Sequence, residues 1–206
     1  MPVTTVFVAD AGSTDDTVAV ALSFANRLNI SVIPGGLPSI GRNKGARRAT
    51  TPYVLFLDAD MELPDETLLR RAMEKMKRRR LECLTTNIWC SGGTLMDHVL
   101  YAGNDVVQYV SSWTKPFSTG MFMLFEKKKF DELGGFDERA LYAEDYLLSK
   151  QVSTGKFGIV RGKVLTTNRR FKKMGHLRIA RMFVKTALNT WNHDYFMRDQ
   201  NYWTEV

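Results

Sequence analysis

Tyr53-Val54-Leu55-Phe56-Leu57-Asp58-Ala59-Asp60 runs from an apolar stretch directly into two carboxylates. An unbroken apolar run of strand length, closed by a turn-forming Asp, reads as a strand buried on both faces. Such strands belong to parallel sheets covered by helices on either side. Moving toward the N-terminus, Ser39 to Ala49 reads as a short basic helix. Ser31-Val32-Ile33 reads as a strand stopped by Pro34-Gly35-Gly36. Val3 to Ala9 is a β-branched, apolar strand that ends at Asp10-Ala11-Gly12-Ser13. Ser13 or Thr14 is expected to cap the helix that follows, with Asp15 and Asp16 in its first turn and Val18, Leu22 and Ala25 at helical spacing.

Toward the C-terminus, Pro64 to Arg80 reads as an amphipathic helix with Leu68, Leu69, Ala72, Met73 and Met76 facing inward. Leu84 to Ile88 and Met121 to Phe125 read as strands, and residues 92–118 mix helical and loop signals. A short helix through Leu133 leads to the turn Gly134-Gly135. Glu144 to Ser153 is expected to be helical, Phe157–Val160 and Lys163–Thr166 to be two short strands, and Gly175 to Asn192 to be a last helix. Strands alternating with helices give an α/β fold with a mostly parallel central sheet and helices on both faces. Ligands of such sheets gather at the carboxyl ends of the strands. Asp10, Asp58/Asp60 and Glu144/Asp145 are therefore expected near one rim.

Composition narrows the class. The 206 residues are 44% hydrophobic and 11% aromatic, which disfavours disorder. No apolar run approaches the roughly 18 residues of a spanning helix. No repeat or linker divides the chain, so one domain over 1–206 is expected. Cys83 and Cys90 fit no metal or redox spacing and suit a reducing compartment. The opening MPVTTVFVAD lacks a basic n-region and a cleavage site, so a cytoplasmic setting is expected. The net charge of +7 favours an anionic partner, and residues 161–206 carry ten Lys/Arg against three acids.

Several clusters can carry chemistry. Asp58-Ala59-Asp60, past a buried strand, can converge on one hard divalent cation with room left for phosphate oxygens. A plain turn or helix cap accounts for the tripeptide alone equally well. Ala9 to Thr17 offers a Gly turn and a helix start able to receive an anion, with Asp10 able to accept hydrogen bonds from a base or ribose. Gly41-Arg42-Asn43-Lys44-Gly45-Ala46-Arg47-Arg48 could set positive charge against phosphates. Glu144-Asp145 at a helix start either answers the helix dipole or supplies a general base for an alcohol.

Taken in order, these pieces resemble the family 2 glycosyltransferases of the GT-A fold. The motifs that carry the resemblance are ADAGSTDDT (9–17), GRNKGARRA (41–49), LFLDADMELPDE (55–66), GGFDE (134–138) and AED (143–145). The resemblance runs from about Val3 to Arg170 and implies a nucleotide-sugar-binding half over about 1–90 and an acceptor half over about 91–170, followed by a basic amphipathic helix and tail over 171–206. It implies Asp10 near the base or ribose of a nucleotide-sugar, Asp58 on ribose or metal, and Asp60 on a Mn2+ or Mg2+ ion that bridges the diphosphate. It implies Arg42 as an auxiliary diphosphate contact, Glu144-Asp145 as the acidic pair, and Asp145 as the base of an inverting transfer. Gly120 would leave room for the donor or acceptor sugar. Thr166 to Phe171 resembles a TSxRRF-like segment, which would bring Arg169 or Arg170 to the diphosphate and His176 within reach of the metal as a third ligand. The donor would be a UDP- or GDP-sugar and the acceptor a saccharide or a lipid-linked alcohol.

Two departures from the family pattern stand out. The opening strand with its PxxN-like segment, and the helix after it, have no counterpart in these residues, so an unpaired strand edge is expected where that strand would lie. The second carboxylate of the VDDGS-like turn is Ala11 here. In the C-terminal helix, Leu177, Met182, Phe183, Val184, Leu188 and Trp191 interleave with Arg178, Arg181 and Lys185. This helix either packs on the sheet or lies on an anionic bilayer at the cytoplasmic face. A sugar-nucleotide-binding or scaffolding relative without turnover is the alternative function. A nucleic-acid binder is disfavoured, since no helix-turn-helix, aromatic RNP-like pattern or zinc spacing is present.

Overall fold

The computed structural model describes residues 4–200. Its strands are β1 (Thr5–Asp10), β2 (Asn29–Pro34), β3 (Tyr53–Leu57), β4 (Cys83–Cys90), β5 (Phe122–Glu126) and β6 (Phe157–Thr166). Its helices are α1 (Thr17–Ser23), α2 (Pro38–Arg48), α3 (Leu68–Arg79), α4 (Leu95–Ser111), α5 (Lys127–Glu132), α6 (Glu144–Ser149), α7 (Arg169–Met174), α8 (His176–Leu188) and α9 (His193–Met197).

The α/β expectation holds, with helices on both faces. On one face of the larger sheet, Leu84, Ile88, Phe122, Leu124, Val160 and Val164 pack under Leu68, Ala72 and Met76 of α3, Tyr101 of α4, and Phe171 and Ile179. On the other, Phe56, Cys83, Met123, Phe125 and Phe157 meet Ala46 of α2, Phe130 of α5 and Leu148 of α6. Successive residues of β5 thus alternate between two cores, as the period of a strand requires. The mostly parallel sheet expected from the sequence is not found; the pairing is mixed, with β4 and β6 parallel and β5 antiparallel to both β3 and β4.

The strands form two sheets, β1-β2 and β3-β5-β4-β6. Among the described residues β1 pairs with β2 alone and β3 with β5 alone, so each keeps an edge without a strand partner. Helix α2 spans the division. A Cβ at Gly41 would stand 3.1 Å from the Cβ of Ala9 on β1, while Ala46 packs with Phe56 of β3.

Local differences from the sequence reading have physical causes. α1 begins at Thr17, later than expected, because the Ser13 hydroxyl donates to Asp10 instead of capping the helix. α1 buries none of its residues. The helix expected from Pro64 begins at Leu68, after a turn in which Asp65 accepts from the N–H and hydroxyl of Thr67. Leu69 faces solvent rather than the core. The two expected short strands near the C-terminus are one strand, β6, with a register shift opposite Thr86/Asn87. Residues 92–118 contain the longest helix, α4, opened by a capping box between Thr94 and Asp97. No helix among the described residues is long and apolar enough to cross a membrane. Cys83 and Cys90 are buried free thiols, as expected.

Candidate active site

The apolar run of β3, fully buried only at Phe56, delivers Asp58 to the carboxyl end, where a turn carries Asp60. α2 places Arg42 beside it. Its Nη2 donates to Asp58 Oδ1 at 2.6 Å and its Nη1 to Glu144 Oε1 at 2.6 Å. Burial works against the guanidinium charge, but Asp58 and Glu144 outweigh it and raise the Arg42 pKa above its ordinary value. A buried cation held by two carboxylates joins the end of β3 to the start of α6.

α6 starts from Ala143, whose φ of 52° is left-handed and rare for a residue with a Cβ. Asp145 follows, with Oδ2 accepting the Gly120 N–H at 2.6 Å and Oδ1 accepting the Tyr146 N–H at 2.7 Å. Its carboxyl is pushed up to about 7, by burial first and by the adjacent Glu144 charge second, against the pull of Arg42. That is the range in which a carboxylate serves as a base near neutral pH.

The packing of Arg42 gives position 120 a reason to be glycine. A Cβ there would lie 2.5 Å from Arg42 Nη2, so the space left by its missing side chain is filled by the guanidinium. Arg42 is likewise committed to the two carboxylates. Asn43, which the sequence reading did not single out, fixes the GGFDE loop: it donates to Phe136 O at 2.8 Å and accepts the Phe136 N–H at 3.0 Å. Its sequence signal is its place in GRNKGARRA (41–49), a motif in which only Arg42 was given a role.

Asp58 and Asp60 line one small cleft of about 30 Å3 with Tyr101, Met121, Thr166, Thr167, Arg169 and Arg170. Arg169 Nη2 stands 3.7 Å from Asp60 Oδ2. The segment after β6 therefore reaches the Asp-x-Asp pair. Tyr101 was hidden in the unassigned stretch 92–118. A larger concavity of about 510 Å3 opens behind the GGFDE loop, lined by Leu133 to Glu138 and α6 residues. It contains neither Asp58, Asp60 nor Asp145.

His176 does not join the cleft. Its Nε2 lies 2.7 Å from Asp97 Oδ1, and its ring stacks on Phe171. Burial disfavours the Asp97 charge, yet the Thr94 N–H, His176 and Asn168 hold its carboxyl well below the usual range. Among the described residues, no group of three or more His, Cys, Asp or Glu is placed to hold a metal. The expected third ligand is thus a tie between α4 and α8. Asp58 and Asp60 alone still fit a hard cation that draws its other oxygens from phosphate and water.

Asp10 ends β1 with its carboxylate turned into its own loop, accepting the Gly12 and Ser13 N–H groups and the Ser13 hydroxyl. The Ser13 hydroxyl is the main cause of its lowered pKa.

The glycosyl transferase family 2 model matches residues 2–134. The chain belongs to this family. Solved structures with the same GT-A fold include S. aureus TarS 1–349 in complex with UDP-GlcNAc, at a TM-score of 0.61 and 19% identity over 79% of this chain and 49% of that one. The mannosyltransferase PcManGT from Pyrobaculum calidifontis, in complex with GDP-Man and Mn2+, aligns at 0.62 and 18% identity, over 88% and 54% of the two chains. Glucosyl-3-phosphoglycerate synthase from Mycobacterium tuberculosis, with Mn2+ and UDP-Glc, aligns at 0.57 and 14%, over 89% and 66%. The family 2 chain described here spans about half the length of the first two. Among curated proteins, none matches its sequence.

Proposed function

We propose that this family 2 chain transfers a sugar from a UDP- or GDP-sugar to an acceptor hydroxyl with inversion at the anomeric carbon. The observation that carries the reading is Asp145, a carboxylate pushed up to about 7 and held by the Gly120 N–H one residue from a cleft lined by Met121, Asp58 and Asp60. Each Asp145 oxygen accepts one backbone hydrogen bond and retains a lone pair for an acceptor proton. As Asp145 takes that proton, the acceptor oxygen attacks the anomeric carbon. The bond from that carbon to the diphosphate oxygen breaks, and the nucleoside diphosphate departs on the opposite side. One base and one displacement invert the centre. Asp58 and Asp60 would hold a Mn2+ or Mg2+ ion, whose chemistry there is to neutralise negative charge on the diphosphate. Arg169 and Arg170 add positive charge at the same cleft. Arg42 acts as a positioning residue, fixing Asp58 relative to the Glu144-Asp145 pair.

The acceptor is a saccharide or a lipid-linked alcohol, and a cytoplasmic membrane face is the setting that the basic C-terminal helix favours. A second reading, a sugar-nucleotide-binding relative without turnover, draws support from the open edges of β1 and β3 and from the absence of buried residues in α1. Release of UDP or GDP from UDP-GlcNAc, UDP-Glc and GDP-Man with Mn2+ separates the two. Turnover lowered about 10²–10⁴-fold by Asp145→Asn with donor binding retained supports transfer. Donor binding without turnover supports the second reading.

A further inference from the structure

Helix α4 is inside out. Its buried face holds Asp97, Tyr101 and Gln108. Its solvent face presents Leu95, Met96, Val99, Val106, Val107 and Val110, each more than half exposed, and no charged residue of α4 is exposed. The inward polarity has a local cause. β4 pairs with β5 only through Cys83 and Leu84, and α4 lies along the rest of β4. There Asp105 accepts the Ile88 N–H at 3.1 Å, and Gln108 donates to Thr86 O at 3.1 Å. Covering a strand edge explains the polar side. It does not explain a solvent side without charge on a helix of four turns, since exposed apolar faces of that extent mark interaction surfaces.

α8 runs beside α4 in the same direction. Their N-terminal ends are joined by Asp97 and His176. Beyond their C-terminal ends, the Lys115 ammonium sits 5.8 Å from the Trp191 ring centroid. α8 exposes Leu177, Val184 and Leu188 between exposed Arg178, Arg181 and Lys185, and it contains no acid. Trp113 and Trp191, largely exposed, stand just past the ends of the two helices. Apolar residues flanked by cations only, with Trp at the margin, match the chemistry of an anionic bilayer. A protein partner of comparable fit would need an apolar surface ringed by acids.

We infer that the paired faces of α4 and α8 dock this chain on an anionic lipid surface, α4 entering the acyl boundary and α8 meeting the headgroups. Tyr101, on the inner side of α4, lines the cleft of Asp58 and Asp60, so docking would bring that cleft to the interface. This consequence for a lipid-linked acceptor rests on the transfer reaction proposed above, whereas the docking does not.

Vesicle flotation of the full chain tests it, using phosphatidylcholine alone and phosphatidylcholine mixed with phosphatidylglycerol. Partition is expected to be more than about tenfold greater on the anionic vesicles and to fall with salt. The Val106→Asp/Val110→Asp variant, altered only on the exposed face, is expected to lose flotation while keeping its melting temperature and its binding of UDP or GDP. Arg181→Glu/Lys185→Glu is expected to lose only the preference for anionic lipid. Brominated lipid is expected to quench tryptophan fluorescence in the native chain and not in the α4 variant. Flotation absent on both vesicle types, or unchanged in the α4 variant, overturns the inference. So does a dimer that the α4 substitutions dissociate in a chain that never floats, which assigns the face to a second copy. Flotation without donor turnover would leave the docking standing and count against the transfer reaction alone.

Discussion

Arg42 and Glu144 lie 102 residues apart in the chain and are joined by a 2.6 Å hydrogen bond between buried side chains. Because Arg42 also holds Asp58, one guanidinium sets the distance between the carboxylate at the end of β3 and the acidic pair that starts α6. Removing it leaves Glu144 buried without its cation. Arg42→Met is expected to cost about 3–5 kcal/mol, as for other broken buried pairs, measured by denaturant unfolding. Arg42→Lys should recover only part of this, since an ammonium cannot present the same fork to two carboxylates.

Gly120→Ala probes the same arrangement from the other side. The new Cβ meets the flexible end of Arg42, so the fold should survive at a cost of about 1–3 kcal/mol, typical of overpacking. Turnover should fall further than stability, because the guanidinium moves off Asp58 and the Gly120 N–H shifts under Asp145. Equal effects on melting and turnover would count against a positioning role.

The raised Asp145 carboxyl predicts a pH dependence with a definite sign. The base must be ionised, so turnover should rise with pH through an apparent value near 7, a value that belongs to the Glu144-Asp145 pair as a unit. Stability should run the opposite way. The folded state retains a proton that the unfolded chain has released, so this group's contribution falls from about pH 4 to pH 7 and is level above. Asp145→Asn is expected to flatten that fall and to reduce turnover by about 10²–10⁴-fold.

Asp97 shows the reverse linkage. Held well below the usual carboxylate range by Thr94, His176 and Asn168 against the cost of burial, it stabilises the fold above the unfolded value and loses that contribution as pH falls through the acid range. Asp97→Asn should therefore make acid unfolding less steep, as followed by circular dichroism.

His176 and Asp60 part company in a metal titration. Because His176 is bound to Asp97, His176→Ala should leave Mn2+ affinity in the presence of UDP or GDP within about twofold, whereas Asp60→Asn should weaken it by about tenfold or more.

These contrasts show where the chain could be read and where it could not. Asp58 and Asp60 were legible because an apolar run that stops at two carboxylates advertises a strand end, although β3 proves to be an edge strand buried fully only at Phe56. Asp145 was legible as an acid at a helix start, and the motif order then gave it a role. His176 was misplaced because its partner, Asp97, lies in 92–118. There the apolar residues of α4 face solvent and the polar ones face β4, so helical periodicity points the wrong way. Gly120 and Arg42 could be listed separately, but that one fills the space of the other is a tertiary fact with no local signature. The split between β1-β2 and the larger sheet was foreshadowed only by comparison with the family pattern.

The central claim is a sugar transfer with Asp145 as its base, and donor turnover with matched binding tests it most directly. With Mn2+ present, the wild-type chain is predicted to release UDP or GDP from at least one of UDP-GlcNAc, UDP-Glc and GDP-Man. Asp145→Asn is predicted to bind the same donor with unchanged affinity and to release its nucleotide about 10²–10⁴-fold more slowly. Equal turnover by the two proteins, or donor binding by the wild type without any release, would contradict the account.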